Sequence, residues 1–171
     1  IFGLQGKIVG QLNWMAGISW QKMMIQPVSL KKYVGADNLY NRYIKAGLIN
    51  QNEAKGGNVL QWKAGIVYDT RDREADPTQG IYGEAIFAFS PDWTSKNGYS
   101  FIRTTLNVCY YQSLWKEHLT LAGRIGLQLT PVGRVPFYFL SDINTYYIRQ
   151  TYSEGLGGTN NIRGVLRNRI T

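Results

Sequence analysis

Leu60-Gln61-Trp62-Lys63-Ala64-Gly65-Ile66-Val67-Tyr68-Asp69 decides how this chain is read. Leu60, Trp62, Ala64, Ile66 and Tyr68 are apolar or aromatic, whereas Gln61, Lys63, Gly65, Val67, Asp69 and then Arg71 form a mostly polar set. Side chains on a strand alternate with a period of two, so the two sets occupy opposite faces. An unbroken oily row on one face and charges in mid-strand on the other suit a strand lying between hydrocarbon and a wet lumen.

The same pattern recurs on both sides. Residues 12–20 set Leu12, Trp14, Ala16, Ile18 and Trp20 against Asn13, Met15, Gly17, Ser19 and Gln21. Residues 81–90 are less regular, with Ala85, Phe87 and Phe89 opposing Tyr82, Glu84 and Ser90. Residues 101–111 set Ile102, Thr104, Leu106, Val108 and Tyr110 against Arg103, Thr105, Asn107 and Cys109. Residues 118–129 set Leu119, Leu121, Ile125, Leu127 and Leu129 against His118, Thr120, Arg124 and Gln128. About five strands are therefore predicted, each about ten residues long, enough to cross a bilayer when tilted.

Charges fall on the polar faces (Lys63, Asp69, Arg71, Glu84, Arg103, Arg124), and aromatics sit near strand ends (Trp20, Trp62, Tyr68, Phe89, Tyr110, Trp115). Those ends are where membrane barrels carry their aromatic girdles. The connections alternate in length: 26–57 is long, 71–79 short, 91–99 intermediate, 112–117 short, and the stretch from 130 onward very long. The predicted fold class is an all-β, antiparallel transmembrane β-barrel with long extracellular loops and short periplasmic turns. Within 26–57, Leu39, Tyr40, Tyr43, Ile44, Leu48 and Ile49 recur at helical spacing, which predicts a short amphipathic helix over the barrel rim.

Composition alone would suit a soluble domain. The 171 residues have 44% hydrophobic content and a mean hydropathy of -0.26. No stretch approaches the eighteen or so consecutive apolar residues of a membrane helix. A barrel escapes that test, because its two faces average out. The 12 Tyr and 5 Trp exceed what a small soluble core needs.

Cys109 is the one cysteine and His118 the one histidine, leaving little material for a disulfide, a metal site or a nucleophile–base pair. A Gly-x-Ser-x-Gly nucleophile elbow is also missing. Neither enzymatic activity nor a cofactor is expected. The net charge of +8 is dispersed along the chain with no nucleic-acid recognition motif, so nucleic acid is not an expected partner.

The first strand quoted runs into Asp69-Thr70-Arg71-Asp72 and then Pro77-Thr78-Gln79-Gly80. Pro77 fixes φ and Gly80 relieves the backbone before the next strand. Asp69 and Arg71 share the inward face, close enough to pair. Further on come Pro136-Phe137-Tyr138, Leu156-Gly157-Gly158 and Ile162-Arg163-Gly164.

In this order the motifs resemble the barrel of the outer-membrane protein assembly superfamily, the bacterial surface antigen family. That family includes the central subunit of the β-barrel assembly machinery and its translocation-assembly and two-partner-secretion relatives. The resemblance covers residues 58–171. It implies that residues 1–171 are part of a larger barrel of about sixteen strands. The part present would comprise the strands above, the loop 26–57 and a lumen-inserting loop 130–171, with N-terminal periplasmic domains and the remaining strands outside it.

The resemblance further implies that Arg163 anchors that loop to acidic and aromatic residues of the inner wall, supplied by strands following the loop. Gly164 would permit close approach, and Gly157 and Gly158 would lead into the motif. A planar fork of five donors suits a carboxylate in a confined lumen, and a glycine neighbour adds backbone freedom. Val165 departs from the family pattern, where an aromatic is usual.

The implied function is insertion or secretion of client proteins in the outer membrane of a Gram-negative bacterium. Expected partners are outer-membrane lipid and lipopolysaccharide, unfolded client proteins and accessory assembly lipoproteins. The alternative is a passive or substrate-specific porin or transporter barrel, with Arg71, Arg103 and Arg124 conferring anion preference.

Overall fold

Alternation becomes a sheet because each apolar row finds a matching row on its neighbour. The computed structural model describes residues 2–25, 39–92, 99–115 and 118–140, and the backbone of 142–143 and 154–155. Strands β1 (Phe2–Val9), β2 (Leu12–Met24), β3 (Gly56–Asp69), β4 (Gly80–Ser90), β5 (Phe101–Trp115) and β6 (Leu119–Gly133) pair in sequence order. Every pairing is antiparallel. The sheet is open, with β1 and β6 as its outermost strands.

Register aligns like with like across the whole sheet. Phe2, Ile18, Trp62, Phe89, Ile102 and Val132 form one continuous cross-strand row on the outer face. On the inner face Asn13, Val67, Glu84, Asn107 and Gly126 form another. Because the side-chain period is two, slipping by one residue would bring the oily row inward.

Burial is inverted relative to a soluble sheet. Trp62 is 47% and Ile66 48% exposed on the outer face, whereas Glu84, Thr105, Asn107 and Arg103 are buried on the inner one. Two apolar clusters interrupt the polar inner face. Met15, Val67, Tyr82, Ile86 and Cys109 pack together toward one end of the strands, and Val59, Phe101, Val135 and Phe139 toward the other.

The structure differs from the sequence expectation in three respects. A sixth strand, β1, precedes those anticipated. Several strands are longer than the alternation indicated, β3 beginning at Gly56 and β6 reaching Gly133. The helix, α1 (Leu39–Lys45), stops before Leu48 and Ile49. Gly47 ends it with φ +73, and the amides of Gly47 and Leu48 turn back onto the carbonyls of Ile44 and Tyr43. No described helix is long and apolar enough to cross a membrane.

After β6 the chain passes through Pro136 into a short 3-10 turn, Phe137–Phe139. A two-residue ribbon follows, β7 (Asp142–Ile143) pairing with β8 (Glu154–Gly155).

Candidate functional site on the inner face

Three groups of polar side chains stand along the inner face. At the end where β3 turns into β4, Arg71 grips Asp69 with both arms of its guanidinium, Nε to Oδ1 at 2.9 Å and a terminal nitrogen to Oδ2 at 2.8 Å. The Arg71 amide also donates to Asp69 Oδ1, at 3.1 Å. The guanidinium lies 4.5 Å from the centre of the Tyr82 ring, tying the strand end to β4. A bidentate pair stacked on an aromatic is geometry that lysine could not reproduce.

Asp72 organises the rest of the turn. Its carboxylate accepts the Thr78 hydroxyl at 2.6 Å and the amides of Thr78 and Gln79 at 2.9 and 3.2 Å. Pro77 lies just before these donors. Gly80 adopts φ +114 against the carbonyl of Thr70.

In mid-sheet a hydrogen-bonded ladder crosses β4, β5 and β6. Tyr82 donates to Glu84 Oε2 at 3.0 Å, and the Asn107 amide nitrogen donates to Glu84 Oε1 at 3.0 Å. Arg124 Nε in turn donates to Asn107 Oδ1 at 2.9 Å. Asn107, fully buried, thus relays between a buried carboxylate and a guanidinium two strands away. A buried charge needs such partners, since an uncompensated one costs several kcal/mol.

At the opposite end, where the longer connections emerge, the chain leaving β6 turns onto the inner face. Phe139 packs against Val59 and Phe101, and Arg103, 2% exposed, donates to the Phe139 carbonyl at 3.0 Å. Glu53, between α1 and β3, accepts the Phe137 amide at 2.8 Å and the Tyr99 hydroxyl.

Over residues 17–170 the sequence matches the Omp85 superfamily domain. The chain belongs to the Omp85 superfamily. No match was found among curated proteins or solved structures. Omp85 proteins are in general non-enzymatic factors for outer-membrane protein assembly or translocation, in bacteria or organelles.

Against that family the anticipated residues divide in two. Asp69, Arg71, Asp72, Pro77 and Gly80 converge on one turn of the Omp85 sheet. Gly157, Gly158, Ile162, Arg163 and Gly164 lie outside the described residues. Sequence reasoning missed Glu53 and Tyr99. Neither sits in a periodic segment, and their partners lie 46 and 84 positions apart along the chain for Glu53. It also gave no role to Asn107, whose amide looks like any polar residue of an inward face until the neighbouring strands are in register.

Two of the connecting regions of this Omp85 sheet, the β3–β4 turn and the end of the β4–β5 connection at Tyr99, respond to opposite extremes of pH. The Thr78 hydroxyl, aided by the Gln79 and Thr78 amides, holds the Asp72 carboxyl well below the usual carboxylate range. Its contribution is present above the ordinary carboxylate pKa and disappears only as pH falls through the lower, folded value. Burial, with Glu53 adding to it, pushes the Tyr99 hydroxyl up to about 12. That contribution is present below the ordinary tyrosine value and is lost as pH rises through the folded one. A tyrosinate absorbance titration, differenced against Tyr99→Phe, should therefore place this step near 12 and not at the ordinary value of about 10.

Proposed function

We propose that this chain is a wall of a bacterial outer-membrane barrel of about sixteen strands that inserts or exports client polypeptides. An open sheet edge cannot face hydrocarbon, so β1 and β6 require further pairing in the membrane. The observation that carries the assembly reading is the inward turn of the chain after β6, fastened by Phe139 and Arg103. In this reading the segment bearing Gly157, Gly158 and Ile162-Arg163-Gly164 is the lumen-inserting part, with Arg163 as its anchor. Asp69, Arg71, Asp72, Pro77 and Gly80 brace the periplasmic end of the wall. Outer-membrane lipid and lipopolysaccharide cover the outer face; unfolded clients and accessory assembly lipoproteins are the protein partners.

The porin alternative draws less support from the inner wall. Arg71, Arg103 and Arg124 are each engaged with wall groups (Asp69, the Phe139 carbonyl and Asn107). A selectivity filter would instead present them to permeating anions. Arg163→Ala in the full-length protein tests the proposal. Client insertion should fall about tenfold, the scale of one lost charge-assisted hydrogen bond, whereas Arg167→Ala and Arg169→Ala leave it near wild type. Equal, small effects from all three would refute the anchor, and a large anion-selective conductance in the unaltered protein would favour the porin.

A further inference from the structure

Among the described residues Glu53 is the least accessible carboxylate outside the strands, 2% exposed in a connection whose described residues are otherwise largely open to solvent. A buried carboxylate persists only where donors surround it. Its donors come from two other connections: the Tyr99 hydroxyl from the β4–β5 link, and the Phe137 amide from the segment after β6. Arg134 adds a guanidinium 3.9 Å from Oε1. Nearby, Tyr40 of α1 donates to the Ala54 carbonyl at 2.5 Å, and its ring lies 6.3 Å from that of Phe137.

One side chain therefore joins all three connections that emerge at this end of the sheet. Beneath it, Phe139, Val135, Phe101 and Val59 form an apolar plug on the inner face. Ser90, which pairs in register with Phe101, is completely buried there.

We propose that Glu53 is the latch of a cap that closes this end of the inner face. Its carboxylate holds Tyr99, at the entry to β5, and the Phe137–Phe139 turn against the segment following α1. Removing it frees an amide and a hydroxyl at once and lets the connections separate, uncovering the plug. Hydrogen bonds of this kind set the local opening equilibrium of a segment without unfolding the sheet. The cap is built from Tyr40, Glu53, Tyr99, Arg134 and the Phe137–Phe139 turn and does not depend on Arg163 acting as an anchor.

The test is thiol accessibility in the full-length protein, reconstituted in lipid vesicles with Cys109→Ser and Ser90→Cys in place. A membrane-impermeant maleimide is added and the labelling rate of the introduced thiol is followed. Glu53→Ala should accelerate labelling about tenfold or more, and Tyr99→Phe, which deletes one donor and keeps the ring, by less. Thr78→Ala, at the opposite end of the strands, should leave the rate unchanged. Heat-modifiable migration reports folding of each variant, and if Glu53→Ala does not fold, Tyr99→Phe decides. Equal rates in the Tyr99→Phe, Glu53→Ala and parent proteins would overturn the latch, as would acceleration by Thr78→Ala as large as that by Tyr99→Phe. Client insertion is not measured, so this outcome is separate from the fate of the assembly reading.

Discussion

Ile66→Arg is expected to destabilise the protein by about 2–4 kcal/mol when unfolding is followed by urea titration in lipid vesicles. Ile66 is 48% exposed on the outer face of β3, between the outward aromatics Trp62 and Tyr68 of its own strand and flanked by Trp14 of β2 and Ala85 of β4. On a soluble protein an exposed substitution of this kind usually changes stability by no more than about 0.5 kcal/mol. The two environments thus predict effects that differ several-fold in size. Asp76→Arg, in the β3–β4 turn, is the matched control and should fall within about 0.5 kcal/mol of the parent. A near-neutral Ile66→Arg would place this face in water and remove the basis for the barrel.

Gly80→Val should cost about 2–5 kcal/mol, combining backbone strain with overpacking. At φ +114 a side chain is already strained, and an added Cβ would stand 2.8 Å from the Arg71 Cα and closer still to the Thr70 carbonyl oxygen. Relief requires the turn to move away from β4. That displaces Arg71 from both Asp69 and the Tyr82 ring, and withdraws Thr78 and Gln79 from Asp72. Gly83→Ala provides the comparison within the same strand, since its Cβ would meet nothing within 4 Å. It should change stability by less than about 1 kcal/mol. If the two substitutions prove equally mild in denaturant titrations, the turn does not hold this end of the wall as described.

The sheet was readable in advance wherever one face is uniformly apolar over a full span. β3 and β5 show this best: Trp62, Ile66, Tyr68, Leu106, Val108 and Tyr110 all point outward as their parity requires. β1 escaped because its period breaks. Gly6 interrupts the row, and a register shift between Lys7 and Val9 brings Ile8 and Val9 side by side. Helix α1 was legible from its spacing, but Leu48 and Ile49 continued that spacing past the point where Gly47 turns the backbone.

The site was legible only where its partners are close in sequence. Asp69 and Arg71 are two residues apart, and their pairing follows from strand geometry. Glu53 and Phe137 meet only because four strands of correct register intervene. The Glu84–Asn107–Arg124 ladder likewise depends on Glu84 standing opposite Asn107, a fact of register invisible to any single segment.

Because every strand of the six-stranded sheet pairs with its neighbour in sequence, the sheet can grow hairpin by hairpin, and apart from the long β2–β3 connection each step closes a short loop. The contact between Glu53 and Phe137 is of another kind. Its 84-residue separation means that it cannot form until β3, β4, β5 and β6 are all in place. In kinetic terms it is a completion signal: protection of the Phe137 amide in pulse-labelling should appear after protection of the β3–β4 hairpin, marking the moment at which this wall is finished.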